Sequence, residues 1–240
     1  MKHLFLVILL SINTANTIFA QEQLLPDYLP TDGLVGWWPF NGNADDESIN
    51  GNQGAVHGAR GTIDRFDNPN KAYSFDGIYD YITVDILNNS LQLKNDFTIS
   101  IWTYLNYNPN NEAYILSKGD DSSNEFSIVC HKDNTLSFAE EGKKHKSSIP
   151  FNFYNTWTHI TCIVDKGISK VYINGNLMSM TPLNRVILPS ILPLTFGATF
   201  EMGTNTPIRN SYLLGKLDDI AIWNRALTQE EITGLYKAEF

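Results

Sequence analysis

The chain is short of cysteine, has no surplus of basic charge and lacks an apolar run long enough to cross a membrane. Each shortage narrows what it can be. Two cysteines in 240 residues, Cys130 and Cys162, are too few for a thiolate metal site or a disulfide-stapled scaffold. Seventeen basic residues stand against 26 acidic ones, a formal net charge of −9. That balance argues against nucleic acid or an anionic membrane surface as a partner. The one basic run, Lys143-Lys144-His145-Lys146, follows Glu140-Glu141 in a Gly-containing stretch and reads as a solvated loop. Leu4 to Leu10 is apolar throughout, yet far shorter than the ~20 residues a membrane helix needs. No Gly-x-Ser-x-Gly element is present, so a serine hydrolase has no support. Linkers, repeats and low-complexity tracts are missing as well, which leaves one domain.

The short apolar run has a different meaning. Lys2 and His3 precede it, a polar stretch follows, and Ile18-Phe19-Ala20 stands before Gln21. A basic start, an apolar middle and a small residue at the cut point form the secretory signal pattern. Residues 1–20 are therefore expected to be a signal peptide, 21–32 an N-terminal extension and 33–240 the domain. Removing residues 1–20 takes away one Lys and no acid, which moves the charge from −9 to −10 (16 basic against 26 acidic). The mature protein is expected to be soluble, in the periplasm or the medium. Export permits a disulfide between Cys130 and Cys162. Two buried free thiols satisfy the same count, and both readings stay open.

What is present is a series of short strands punctuated by turns. Val35 to Phe40 is apolar and aromatic and breaks at Asn41-Gly42-Asn43. Ala72 to Phe75 meets Asp76-Gly77, and Tyr81 to Val84 resumes. Phe97 to Trp102 alternates with period two, as a half-buried strand does. Phe126 to Cys130 and Leu136 to Phe138 flank a hairpin turn at Lys132-Asp133-Asn134, and Trp157 to Val164 is another strand. Lys170 to Ile173 runs into Asn174-Gly175, a pair suited to a turn whose two central residues have positive φ. Tyr212 to Trp223 is the last strand region. Only the C-terminus looks helical: Thr228 and Glu231 form a capping box, and Ile232, Leu235 and Tyr236 make one apolar stripe. Many strands with one terminal helix predict an all-β sandwich or jelly roll.

The residues also carry a family likeness. Gly33-Leu34-Val35-Gly36-Trp37-Trp38-Pro39-Phe40-Asn41-Gly42-Asn43-Ala44, with Asp46 and Asn50-Gly51 downstream, resembles the opening of LamG-like jellyroll domains of the concanavalin A-like lectin/glucanase superfamily, of the exported bacterial type. Further blocks agree in order: Ala72 to Gly77 with Asp80-Tyr81-Ile82, Phe97 to Trp102, Trp157 to Ile160, Tyr172 to Gly175, and the closing Gly215 to Thr228. The likeness spans about residues 33–238. It implies a two-sheet antiparallel jelly-roll sandwich and a structural calcium near the chain ends. The matching positions are Asp46 in the opening loop and Asp218, the first aspartate of the closing strand, with Asn43 and Asn50 as further oxygen donors. Ile49 departs from the pattern, standing where such domains usually have Gly. The alternative is that Asp45-Asp46-Glu47 is a solvated acidic turn.

Relatives on this fold that cleave β-glucans use paired carboxylates on one strand, and the Glu-x-Asp-x-Glu signature of that pairing is absent. Asp218 and Asp219 are adjacent, so on a regular strand they point to opposite faces. The expected function is a non-catalytic binding module for extracellular carbohydrate. A protein-interaction or surface-adhesion module is the rival, and a glycoside hydrolase with displaced acids is the weakest reading. Sugar sites stack a pyranose on an aromatic face, which singles out loop aromatics: Tyr79, Tyr107 and Phe153. Trp37, Trp38, Trp102, Trp157 and Trp223 lie in the strand blocks and are read as packing, and His159 as structural.

Overall fold

The computed structural model describes residues 25–238 apart from 85–88, 109–111, 121–124, 139–148, 184–186, 188–191, 202 and 205. Residues 1–20, Asn110, Glu140-Glu141 and the basic run 143–146 lie outside the described residues. In chain order the strands are β1 (Leu34–Trp38), β2 (Gly54–His57), β3 (Arg60–Thr62), β4 (Ala72–Asp76), β5 (Tyr81–Val84), β6 (Phe97–Leu105), β7 (Ala113–Lys118) and β8 (Phe126–Cys130). They continue as β9 (Thr135–Phe138), β10 (Ile149–Pro150), β11 (Trp157–Asp165), β12 (Ile168–Ile173), β13 (Asn176–Pro182), β14 (Leu194–Phe196) and β15 (Leu214–Trp223). One helix, α1 (Gln229–Lys237), follows.

These strands make two antiparallel sheets. The eight-stranded sheet runs β13-β12-β11-β6-β15-β4-β3, with β1 also on β15, and the seven-stranded sheet runs β10-β9-β8-β7-β14-β5-β2. The period-two pattern sets the faces. Phe97, Ile99 and Ile101 of β6 and Ile160, Cys162 and Val164 of β11 point into the core between the sheets, against Phe126, Ile128 and Phe196 of the other sheet. Trp38 is fully buried there, edge-on to Phe196 at 5.2 Å. The β12–β13 turn has Asn174 at φ 50° and Gly175 at φ 76°, the conformation its sequence predicts.

The opposite face of the eight-stranded sheet is covered too. Trp37, Ile163, Tyr172, Ala221 and Trp223 form a second core with Leu29 of the N-terminal segment and Ile232 and Leu235 of α1. The helix begins as expected: Thr228 Oγ1 accepts from Glu231 N, and Glu231 Oε2 accepts from Thr228 N at 2.8 Å. Tyr236 stacks on Trp102 at 5.9 Å.

One strand departs from a regular pleat. Along one edge, β15 pairs β4 through Leu214 to Leu217 and β1 through Ile220 to Trp223. Between the two partners its register with β6 slips after Asp218, and Asp219 sits at φ 42°. This β-bulge marks the seam between two strands that share one edge.

Candidate functional site

Sheet polarity brings several loops to one rim. Asp76 at the end of β4 pairs Leu214 at the start of β15, whose neighbour Gly215 pairs Leu105 at the end of β6. Tyr154, just before β11, bridges Leu105. In the other sheet His57 ends β2 opposite Tyr81, which begins β5. The 77–80 loop, the 206–213 segment, residues 106–108 and the 151–156 turn therefore meet at one end of the sandwich.

The 77–80 loop is held rigid by its own first residue. Asp76 Oδ1 accepts from the backbone N–H groups of Ile78, Tyr79 and Asp80 at 2.8, 3.0 and 3.2 Å, and Asp80 Oδ2 accepts from Asp76 N at 3.0 Å. Burial alone would raise the Asp76 pKa, but the backbone donors hold it below the usual carboxylate value. Asp80 is raised by its burial and by the charge of Asp76. Gly77, at φ 74°, lies so close to Leu214 that a Cβ there would come within 2.9 Å of the leucine Cβ. The loop presents Ile78 and Tyr79 to solvent, 57% and 65% exposed. Tyr79 is braced edge-on against the buried Tyr212 at 5.9 Å, and Tyr212 lies beside Tyr81, which stacks on His57 at 4.4 Å.

Of the aromatics expected to bind ligand, Tyr79 and Tyr107 are both exposed on this rim. Tyr107 is braced edge-on against Tyr154 at 5.4 Å. Phe153 differs: it is partly buried against the core and packs on Phe151 at 5.5 Å, so it supports the rim rather than offering a free face. Amides flank Tyr107 and its brace Tyr154, with Asn106 Nδ2 donating to Asn155 Oδ1 at 2.8 Å. Tyr212, Tyr81 and His57 escaped the sequence reading, because the strand blocks that contain or adjoin them read as packing.

The residues expected to hold calcium do not form one donor set. Asp46 is buried, with Oδ1 accepting from Trp37 N and Ser48 N at 2.8 Å and Oδ2 from Asn52 N at 2.7 Å. Its carboxylate closes the opening loop onto β1. Asn43 Oδ1 accepts from Asp45 N, and Asn50 Nδ2 points to Leu34 O at 3.4 Å. Asp218 is engaged elsewhere, with Oδ2 2.7 Å from Arg65 Nη1. Among the described residues no three His, Cys, Asp or Glu side chains converge on one point. Calcium needs six to eight converging oxygens, and these residues do not fit it.

One further expectation is corrected, and one open alternative is decided. Asp218 and Asp219 do not point to opposite faces: the bulge turns both carboxylates to one guanidinium, with Arg65 Nη2 2.7 Å from Asp219 Oδ2. Burial and their mutual repulsion push Asp218 upward while Arg65 draws it back. The disulfide is also absent, because Cys130 and Cys162 are both buried free thiols. Cys130 pairs Ala113 at the rim end of β7, and its Sγ meets Tyr154 Oη at 3.3 Å. Cys162 lies five residues beyond Trp157 in β11, roughly 16 Å deeper along the strand. Burial pushes the Cys130 thiol up to about 11 and raises Cys162 as well.

His159 is buried on the outer face of the eight-stranded sheet, with Nε2 2.7 Å from Ser100 Oγ and its ring beside those of Trp102 and Tyr236. Trp37, Trp38, Trp102 and Trp223 are buried as packing residues, and Trp157 is half-buried against Tyr104.

These features define a class: an antiparallel jelly-roll sandwich with one end carrying a braced aromatic rim. The sequence profile of the concanavalin A-like lectin/glucanases superfamily, of laminin G type, matches residues 76–233, and the chain belongs to that family. Among solved structures it is similar to the binding domain of Paraclostridial Mosquitocidal Protein 1, at 24% identity and a TM-score of 0.67, covering 86% of this chain and 52% of that one. The botulinum neurotoxin serotype D binding domain is similar at 18% identity and TM-score 0.63, covering 86% and 51%. A Trypanosoma rangeli sialidase aligns at 17% identity and TM-score 0.63, covering 87% and 33%. The chain thus spans about a third to a half of the length of these neighbours, and the likeness is one of fold. No curated protein sequence matches it. Among the described residues no helix is long and apolar enough to cross a membrane.

Proposed function

We propose that this chain is an exported, non-catalytic binding module that recognises extracellular carbohydrate through the rim formed by Tyr79, Tyr107 and their flanking amides. The observation that carries the reading is the exposure of both tyrosines, each braced by a second aromatic ring. A tyrosine held in one rotamer offers a flat apolar face at little entropic cost, and sugar rings stack on such faces while amides meet their hydroxyls. Asn106 and Asn155 supply those amides, and the Asp76 turn supplies the rigidity. The toxin binding domains on the same fold, named as such, are consistent with a binding role. The acids argue against hydrolysis: Asp218 and Asp219 are bound to Arg65, and at the rim Asp76 and Asp80 accept from the backbone N–H groups of their own loop.

Glycan arrays and polysaccharide pull-downs test this reading. Binding to a neutral or mildly acidic glycan is expected. Tyr79→Ala and Tyr107→Ala should each weaken it by about tenfold, ~1.4 kcal/mol. A blank array, or binding untouched by both substitutions, refutes it. One observation favours a second reading as a protein-adhesion module. The edge strand β13 is uncharged and exposes Leu177, Met178 and Met180. In that case Met178→Lys with Met180→Lys should abolish capture of a protein partner and leave the rim unaffected.

A further inference from the structure

We propose that Arg65 is the resident cation of this domain: its guanidinium, fixed between the two carboxylates of the β15 bulge, takes the electrostatic role that the family resemblance assigns to calcium, so the fold and its rim need no divalent ion. The inference is independent of what the rim binds.

The seam in β15 creates the need. Where the strand passes from β4 to β1, Asp218 and Asp219 have no strand partner on that edge, and the bulge turns both side chains to one side. Two carboxylates taken out of water together repel each other and require a counter-charge. The β3–β4 connection delivers it. Asp64 fixes that loop by accepting from Phe66 N at 2.8 Å, Asn68 N at 2.9 Å and Asn68 Nδ2 at 3.1 Å. Arg65, the residue after Asp64, then reaches the bulge with Nη1 2.7 Å from Asp218 and Nη2 2.7 Å from Asp219.

The shape of the centre suits a guanidinium better than a metal. The cation lies over the rings of Phe66 and Trp102, at 4.6 and 4.7 Å from their centroids. Aromatic faces attract a weakly hydrated planar cation, whereas calcium requires a shell of oxygens. The other aspartate of the expected calcium pair, Asp46, has its oxygens turned to the backbone N–H groups of Trp37, Ser48 and Asn52. A fixed side chain also has an advantage that an exchangeable ion lacks: it stays at every ambient calcium concentration.

Thermal unfolding of the full chain in millimolar calcium and in chelator tests the proposal. The native protein should show the same midpoint in both, and calorimetric titration with calcium should give no heat of binding. Arg65→Ser should lower the midpoint by several degrees in calcium and in chelator alike. Adding Asp219→Asn should restore part of that loss, because the remaining buried carboxylate is no longer repelled by a second one. Arg65→Lys, which keeps the charge but loses the planar fork, should lose less of the midpoint than Arg65→Ser and remain indifferent to calcium. If Arg65→Ser does not fold, the native titration and Arg65→Lys still decide the matter. A native midpoint raised several degrees by calcium overturns the proposal, because a ligand bound by the native state alone stabilises it. An Arg65→Ser loss that Asp219→Asn does not reduce overturns it too, since the two carboxylates would then not need the cation.

Discussion

Acidification from pH 7 to pH 5 should weaken this domain through one residue, His159. The imidazole is buried against the rings of Trp102 and Tyr236. Burial first, and the nearby Arg65 charge second, lower its pKa to about 3. The groups around it come from every element packed there. Ser100 and Trp102 belong to β6, Tyr236 to α1, and Arg65, Asp219 and Tyr28 line the same small cavity. None is a free carboxylate that could stabilise an imidazolium, since Asp219 is bound to Arg65. In the unfolded chain the same histidine titrates near ~6.5. Between those two values the unfolded state holds the extra proton, so stability falls as pH falls through 6.5 and continues to fall toward 3. From pH 7 to pH 5 the loss amounts to ~2 kcal/mol, or about 4–8 °C in the midpoint for a domain of this size. The paired carboxylates Asp218 and Asp219 act in the opposite sense. Their folded-state values are raised, so whatever repulsion they contribute is relieved as pH falls. For that reason the measurement is a comparison of the native protein with His159→Gln by urea unfolding at both pH values. The variant should lose ~2 kcal/mol less than the native protein over this interval. Equal losses in the two proteins, or a His159 ring that titrates near 6.5 in the folded state by NMR, would refute the reasoning.

Other consequences are equally direct. Cys130 and Cys162 should resist alkylation in the folded protein and react on unfolding, and a reductant should leave the midpoint unchanged; a mass loss of two hydrogens in the intact protein would contradict this. Trp38→Ala removes a fully buried ring from between the sheets, together with its Nε1 bond to Asn52 O, and should cost ~3–5 kcal/mol in urea unfolding. Gly77→Ala places a Cβ against Leu214 at positive φ, and should reduce ligand binding by displacing Tyr79 while the far-UV spectrum stays unchanged. Thr228→Ala should cost about 1 kcal/mol through the lost cap, read from the thermal midpoint. Glu231, held at about 2 chiefly by its bond to Arg225, contributes stability above its ordinary value that disappears as pH falls toward 2; Glu231→Gln should flatten that part of the acid limb.

Much of this protein was determined by local sequence. Period-two alternation marked Phe97 to Trp102 as a strand, because side chains on a pleated strand leave alternately whatever the neighbours are. That its second face is covered as well, rather than half-buried, came from the packing of the N-terminal segment and α1. Asn174-Gly175 made its hairpin for a reason internal to the turn, the need for two positive φ values. Thr228 and Glu231 closed the capping box because both partners lie within one helical turn. The order of strand blocks was enough for the fold class, whereas a loop position found the exposed Tyr79 and Tyr107 but also Phe153, which packing turns against the core. The short strands β2, β3, β7 and β14 were not legible. Gly54–His57 and Arg60–Thr62 in particular are exposed edge segments, without apolar alternation, and become strands only because a neighbour offers a free edge.

Tertiary structure alone decided the chemistry of the charged residues. Asp46 looks like a metal ligand in the chain and is a loop anchor in the fold, since three backbone N–H groups from separate positions converge on it. Asp218 and Asp219 look divergent and act together, because a change of strand partner forces a bulge that the two-residue period cannot foresee. Arg65 carries no motif that a single sequence would mark, yet it reaches residues more than 150 positions away. The physical reason is one of range. Backbone conformation and strand alternation are set by neighbours in the chain, whereas the partner of a buried charge is whichever group the packing brings within ~3 Å of it.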